Sequence, residues 1–539
     1  MIANKKTIHK ESFKLASLMM PMIILWLSVG IYGKEQYKKF AKEAISLVVD
    51  GQFDEAINGL ENYLSRHPND LESLYGLTVA YAQKNNIDKS FTYMKQALDG
   101  GLPLGRFLAG PRDLLKPLTE SCEFQKLSKK LNLQLLHGPM LGCVTDTTAK
   151  FWFRTPNEAT LQIIASTSKK MSSPVKSDVV KTNSNKDFTA VADVSNLKPD
   201  TKYYYKLIID SNLQPNQWAF KTFPAKNSKA KFQIGFGGGA GYTPEHERMW
   251  NTIIANNPLA FLSLGDNVYI DNPTRPAVQQ YCYYRRQSRS EFRDFTAATA
   301  IFAIWDDHDF GTNDCWYGTE ILKPKWKMDV WRLFVNNWNN PSYGGGEKQP
   351  GCWFDLSIAD VDFFLLDCRF YRTDPKSKNP SMLGPAQKKW LFKKLKSSTG
   401  TFKVLASPVP WSFNTKPGSL DPWHGYKQER EEIFSFIEEN KIDGVILISA
   451  DRHRSDAWKI ERPKGYDFYE FESSKLTNIH THKIMSGALF GYNEKCSFGL
   501  LDFDTTIADP TVTYKIINID NDVIYTLTVR KSRLAVKKQ

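Results

Sequence analysis

Trp305-Asp306-Asp307-His308-Asp309, followed by Gly311 and Asn313, puts three carboxylates and one imidazole within four positions. Like charges packed that closely repel one another unless a cation or hydrogen bonds hold them. The run before it, Ile301–Trp305, is continuously apolar and reads as a buried strand. A strand ending in hard oxygen donors and one imidazole suits a metal ion; an acidic, solvated loop is the plainer alternative. Two other stretches have the same build. Gly265-Asp266-Asn267-Val268-Tyr269 follows the apolar Ala260–Leu264, and Ser449-Ala450-Asp451-Arg452-His453 follows Val445–Ile448. The glycine permits a tight turn that aims Asp266 inward. Asp451 and His453 alternate onto one side of an extended segment. Three strand ends that each carry a carboxylate, two of them with a histidine, form a constellation for metal-assisted chemistry. His480 and His482 could add ligands, although such a pair is more often a surface feature. No G-x-S-x-G elbow is present, which disfavours a serine nucleophile.

The elements that must position these groups follow from the apolar pattern. From Lys231 onward, strands read at Phe232–Phe236, Ala260–Leu264, Ile301–Trp305, Val361–Leu366, Lys403–Ala406 and Val445–Ile448. Helical stretches such as Glu245–Ala255, Pro385–Leu395 and Tyr426–Glu439 lie between them. That rhythm predicts an α/β domain over 231–530 with its functional residues just past the strand ends. Residues 138–224 alternate instead, at Ala149–Arg154 and Leu161–Ala165, and predict a small β-sandwich. The Leu197–Pro199–Thr201–Tyr203–Tyr205 pattern there resembles a fibronectin type III turn and strand. Residues 36–136 read as helical, and Asp54–Ile57 recurs as Asp88–Phe91 at the tetratricopeptide period. Such a region is either a partner-docking arm or a spacer.

Composition narrows the setting. A chain of 539 residues with 13% aromatics holds more than one folded domain. The net charge of +13 favours anionic partners such as phosphate compounds or a negatively charged membrane surface. No nucleic-acid-binding module is evident. Lys5, Lys6, His9, Lys10 and Lys14 precede an apolar stretch that ends before Lys34, so residues 1–33 read as a signal peptide or membrane anchor. The expected address is periplasmic or extracellular. The seven cysteines show no zinc spacing.

Residues from about Gly138 to Arg530 resemble the alkaline phosphatase D (PhoD-like) family of metallophosphoesterases. The resemblance rests on Gly265–Tyr269, Tyr281–Arg286, Trp305–Asp309 with Asn313, Leu366–Arg372, Leu383–Leu391, Asp421–Tyr426 with Arg430, Ser449–His453 and Glu472–Thr477. It implies a two-sheet metallophosphatase sandwich flanked by helices, preceded by the fibronectin/Ig-like sandwich; the helical, TPR-like segment is not part of that layout. It also implies iron and calcium as cofactors. Asp266 becomes the bridging ligand, with Asp306, Asp307, Asn313, Asp451 and His453 completing the metal shell. Tyr284 becomes the iron phenolate, with Tyr269 as its substitute. His308, with Asp307, acts at the reaction. On charge grounds Arg285, Arg286, Arg369 or Arg372 could clamp the phosphate, or could equally be structural partners of carboxylates. The family usually carries a cysteine thiolate at the first strand's end, where this chain has Gly239 in Phe236–Tyr242. Losing that ligand weakens the case for iron, and the glycines could instead cradle phosphate. The expected activity is hydrolysis of phosphomonoesters, phosphodiesters or both through metal-activated water. The alternatives are a non-catalytic anchored scaffold with a vestigial metal site, or a hydrolase of sulfate esters or phosphonates.

Overall fold

The computed structural model describes residues 40–536; the stretch read as a signal or anchor lies outside them. Among the described residues no helix is long and apolar enough to cross a membrane.

The first part is helical. A helix over residues 40–49 is followed by Phe53–Leu64, Leu71–Gln83, Ile87–Asp99 and three shorter helices ending at Leu131. The turn at His67–Asp70 ends the first pair because the Asp70 side chain accepts the N–H of Ser73 and starts a new helix. Leu71–Gln83 is buried on nearly every face, so its neighbours wrap around it. Residues 137–221 form two antiparallel sheets. His137–Gly142, Ala149–Arg154 and Thr189–Val194 make one, and Thr160–Ser166 with Lys202–Ile209 centres the other. Phe151 fills the space between them, its ring 4.6 Å from that of Tyr205 and 5.6 Å from that of Phe220.

The rest is two mixed sheets packed face to face. In the first, Lys231–Gly237, Ala260–Leu264 and Ala300–Ile304 run parallel, and Ser497–Asp504, Thr511–Asn518 and Val523–Arg530 extend it antiparallel. In the second, Val361–Leu365, Phe402–Ala406, Val445–Ser449 and Phe468–Ser473 are parallel, with antiparallel strands at both edges. Aromatic side chains meet across the interface, Phe471 on Tyr514 at 4.5 Å and Phe402 on Phe503 at 5.7 Å. The sequence rhythm of alternating strands and helices holds as far as Val445–Ser449. Beyond it successive strands follow one another without helices: Phe468–Ser473 reaches its parallel place beside Val445–Ser449 by way of the antiparallel Ser455–Ile460, and the later strands pair antiparallel, so no helical period is left to read. The two sheets are joined at one end by a bridge in which Gly238 donates to Ser473 and accepts from Leu476, both at 3.1 Å.

Candidate metal centre

Ala260–Leu264 and Ala300–Ile304 pair in parallel with Leu264 opposite Ile304, so the residues that follow leave the sheet at one level. Gly265 has φ +92°, and a Cβ there would lie 2.5 Å from that of Asp306, so only glycine lets the two strand ends approach. Asp266, Tyr269, Asp451 and His453 all have left-handed backbone (φ 54°, 54°, 74° and 48°), uncommon for residues with side chains. Such backbone persists where surrounding contacts fix it, as they do in the loops that carry these candidate ligands.

The acidic run does not continue as extended chain. Asp307–Phe310 closes a single helical turn, so its side chains diverge. Asp307 and His308 lie with Asp266, and one ligand atom from each falls within 4.8 Å of the others, close enough for one cation. Asp309 points back and accepts the N–H groups of Asn267 and Val268. Among the described residues, both oxygens of Asp266, Oδ2 of Asp306, Oδ1 of Asp307 and Oδ2 of Asp451 are buried with no hydrogen-bond partner. Buried carboxylate oxygens are ordinarily paired, so Asp266 and Asp307 with His308 fit a hard cation, while Asp306 and Asp451 lie outside that 4.8 Å group.

The electrostatics follow from that crowding. Burial pushes the Asp266 carboxyl well above its ordinary value; His308 opposes this, while Asp307, Asp309 and Asp451 add to it. Burial also raises Asp306, against the pull of Arg369. For His308, burial alone would lower the imidazole, but Asp307, Asp266 and the Asp271 carboxylate on its Nδ1 carry it well above its usual range.

The other expected ligands are placed unevenly. Asp451 follows Val445–Ser449 in the second sheet and lies near enough to Asp266 to raise it. His453 is buried, its Nε2 3.5 Å from the Tyr269 hydroxyl, with the rings of His480 and His482 at 5.1 and 5.3 Å. Asn313 is exposed and lines a cavity with His308 and Tyr269. Tyr284 does not face the cluster. Its hydroxyl donates to Asp187 of the small sandwich, 2.5 Å away, because it sits on the far side of the helix Pro276–Gln287. Tyr269, the substitute, is the phenol at the centre: it accepts from Asn478 at 2.8 Å, and burial followed by the Asp266 charge raises it well above its ordinary value.

The arginines expected to clamp phosphate face protein groups instead. Arg369 is fully buried, with Nε on Asp306 and Nη1 2.7 Å from Asp421. Arg372 bonds Tyr426 at 2.8 Å and pairs with Asp421 at 3.0 Å. Arg285 packs over the rings of Tyr242 and Tyr281, and Arg286 bonds Glu247 at 2.8 Å. A buried guanidinium beside buried carboxylates is held by them, and the motif spacing alone does not reveal which partner wins. Asp271, which orients His308, is the functional neighbour that motif reading missed; Asp309, counted there with the acidic run, instead ties down the Asp266 loop.

Gly239 has φ +68°. A Cβ built there would lie 2.8 Å from Ser474 Oγ, 2.9 Å from the N of Lys475 and 3.3 Å from His453 Nδ1. The position that would carry the family thiolate therefore abuts His453, but has no room for a side chain.

Two packed mixed sheets with a carboxylate–imidazole cluster past their parallel strand ends define a mixed α/β protein with a candidate metal centre. The family profile described as PhoD-like phosphatase matches residues 234–535, more than half of the chain, and the chain belongs to that family. Residues 132–227 match a domain of unknown function, DUF7800. Alkaline phosphatase D of Bacillus subtilis (strain 168) is 25% identical over 313 residues, covering 49% of this chain and 53% of that relative, so the match spans about half of each. The solved structure of PhoD superposes with a TM-score of 0.61 at 17% identity, over 74% of this chain and 90% of that one. Purple acid phosphatase PPD1 from yellow lupin (Lupinus luteus) seeds superposes at 0.55 with 13% identity, over 74% and 75%. These likenesses establish the shared fold.

Proposed function

We propose that this chain is an exported, metal-dependent phosphoesterase that hydrolyses phosphomonoesters, phosphodiesters or both. The observation that carries the reading is the gathering of Asp266, Asp307 and His308 within 4.8 Å, with carboxylate oxygens left unsatisfied, in a chain of the PhoD-like family. Asp266, Asp306, Asp307, Asp451 and His453 would hold the cations, with Asn313 at the rim and Tyr269 in the place expected of Tyr284. Bound there, a cation supplies neutralisation of phosphoryl charge and activation of the attacking water. Calcium suits the oxygen-rich donors, whereas iron lacks the thiolate that Gly239 replaces.

The chain's own groups do the rest. Asp271 on Nδ1 of His308 leaves Nε2 for the substrate. Asp307, Asp266 and Asp271 around the imidazole favour its protonated form, and in that form it would give a proton to the leaving oxygen or offset phosphoryl charge. The basic-then-apolar stretch over residues 1–33 supports export, with or without retention as an anchor. The helical part, 36–136, reads as a TPR-like arm able to dock a protein partner, and the sandwich, 138–224, as a fibronectin/Ig-like module beside the catalytic residues 231–530.

The test is turnover of p-nitrophenyl phosphate and bis-p-nitrophenyl phosphate before and after chelation, with elemental analysis of the purified protein. Activity lost on chelation and restored by calcium or iron is expected. No turnover of either ester with both metals supplied would return the chain to the scaffold reading, which the loss of a ligand at Gly239 favours.

A further inference from the structure

The helix over residues 40–49 lies outside both family matches, yet it reaches the candidate centre. Lys42 is only 5% exposed. Its Nζ donates to Asp271 Oδ2 at 2.7 Å and to the carbonyl of Tyr269 at 3.1 Å. The other oxygen of Asp271 meets Nδ1 of His308. The Tyr269 ring stacks on the His308 imidazole with centroids 4.6 Å apart. An unbroken line of contacts therefore runs from a lysine of the helical part to the imidazole. Tyr269 and Asp271 both have left-handed backbone (φ 54° and 56°), and Lys42 is the cation that ties this turn together. Arg275 fastens the same helix through Ser46 and through Asp50 at 2.9 Å. Glu43 and Ser46 then wall a cavity of about 510 Å³ that includes Asn272, His308 and Asn313.

We propose that Lys42 is a positioning residue for the reaction: through Asp271 it fixes the orientation of the His308 imidazole, so that the helical part completes the active site. The inference rests on the phosphoesterase reading for its role in turnover, but not for its geometry. A lysine that only glued the helix in place would alter stability without depending on His308. A carboxylate that holds one partner on each oxygen loses a restraint when the lysine goes, and the imidazole on its other oxygen then turns more freely. Misplacing a reacting group by an ångström or so costs up to about a hundredfold in rate.

The experiment uses the full chain with imidazole-labelled histidine. The His308 ring resonance, identified by its loss in His308→Gln, is followed in Lys42→Met, Lys42→Gln and Lys42→Arg. It is expected to move in the first two and to return in the third. kcat for p-nitrophenyl phosphate should fall about tenfold in Lys42→Met with KM within about twofold. In a His308→Ala background the same change should add less than about twofold, because the two residues act in series. An unmoved resonance in folded Lys42→Met overturns the proposal whatever the turnover, as does a full tenfold loss repeated in the His308→Ala background. Should Lys42→Met not fold, Lys42→Gln decides by the same resonance. If the resonance moves in Lys42→Met while the wild-type protein turns over no phosphate ester, the orienting contact to His308 stands and the phosphoesterase reading is what fails.

Discussion

Oδ2 of Asp309 accepts both the backbone N–H of Asn267 at 2.9 Å and its side-chain amide at 2.8 Å. One carboxylate of the acidic run is thus spent on holding the neighbouring ligand loop rather than on chemistry. Burial raises its carboxyl to about 6 even though these donors pull it down. Asp309→Ala would strand the buried donors of Asn267 and Val268. The expected cost is about 3 kcal/mol of stability, with weaker metal binding because Asp266 loses its tether. Chemical denaturation and calorimetric metal titration check both; unchanged metal affinity would show that Asp266 is fixed by other contacts.

Asp266 carries the opposite expectation. Its two oxygens are buried without partners, so in metal-free protein its charge is a liability. Asp266→Asn should raise the melting temperature of the chelated protein, while lowering kcat on p-nitrophenyl phosphate at least about a hundredfold. A metal-free melting temperature that falls would mean that the carboxylate supports the fold.

Arg369 separates two roles in one measurement. It sits between Asp306 and Asp421, and removing it leaves the buried Asp306 carboxylate uncompensated while Asp421 keeps Arg372. Arg369→Leu should cost about 3–5 kcal/mol in denaturant unfolding. A normally stable variant with only a raised KM would restore the phosphate-clamp role that the sequence suggested.

His137 gives a pH dependence away from the centre. Burial, then the neighbouring Arg154, holds its imidazole well below the usual 6.5. Nδ1 lies 2.8 Å from Nη1 of Arg154, which can only donate, so the folded ring is neutral. The unfolded chain takes up the proton and the folded one does not. This contribution is therefore fully present above about pH 6.5 and is lost as pH falls below it, by about 1.4 kcal/mol per pH unit. Between pH 7.5 and 5, the wild-type protein should lose about 2 kcal/mol more than His137→Gln in denaturant midpoints. Equal losses would place the proton uptake elsewhere.

Gly239→Cys tests the family difference directly. At φ +68°, with Ser474 and Lys475 inside 3 Å of a Cβ, the thiol cannot simply be restored. A loss of about 1–2 kcal/mol in stability with no gain in bound iron is expected, read by denaturation and elemental analysis.

Much of the centre was legible because strand ends advertise themselves. Apolar runs that stop at Asp266, Asp306 and Asp451 fix where carboxylates emerge, and Ala260–Leu264 lies where the pattern puts it. What the pattern withholds is direction. Tyr281–Arg286 lies on a helix buried nearly all round, so no amphipathic face tells which tyrosine turns to the cluster; Tyr284 turns away and Tyr269 turns in. Asp307–Phe310 coils into one turn, too short to announce itself by period, and that coil separates the role of Asp309 from that of Asp307. Lys42 lies more than two hundred residues from its partners in sequence, and no local signal marks it.

The backbone bridge between Gly238 and Ser474 has a mechanical consequence. Asp266 and Asp307 leave one sheet and Asp451 leaves the other, so the span between these two sets of donors is gauged by peptide groups at the seam. Changing a side chain deeper in the sandwich leaves those peptide contacts in place, whereas an inserted residue at the seam would spread the jaws apart.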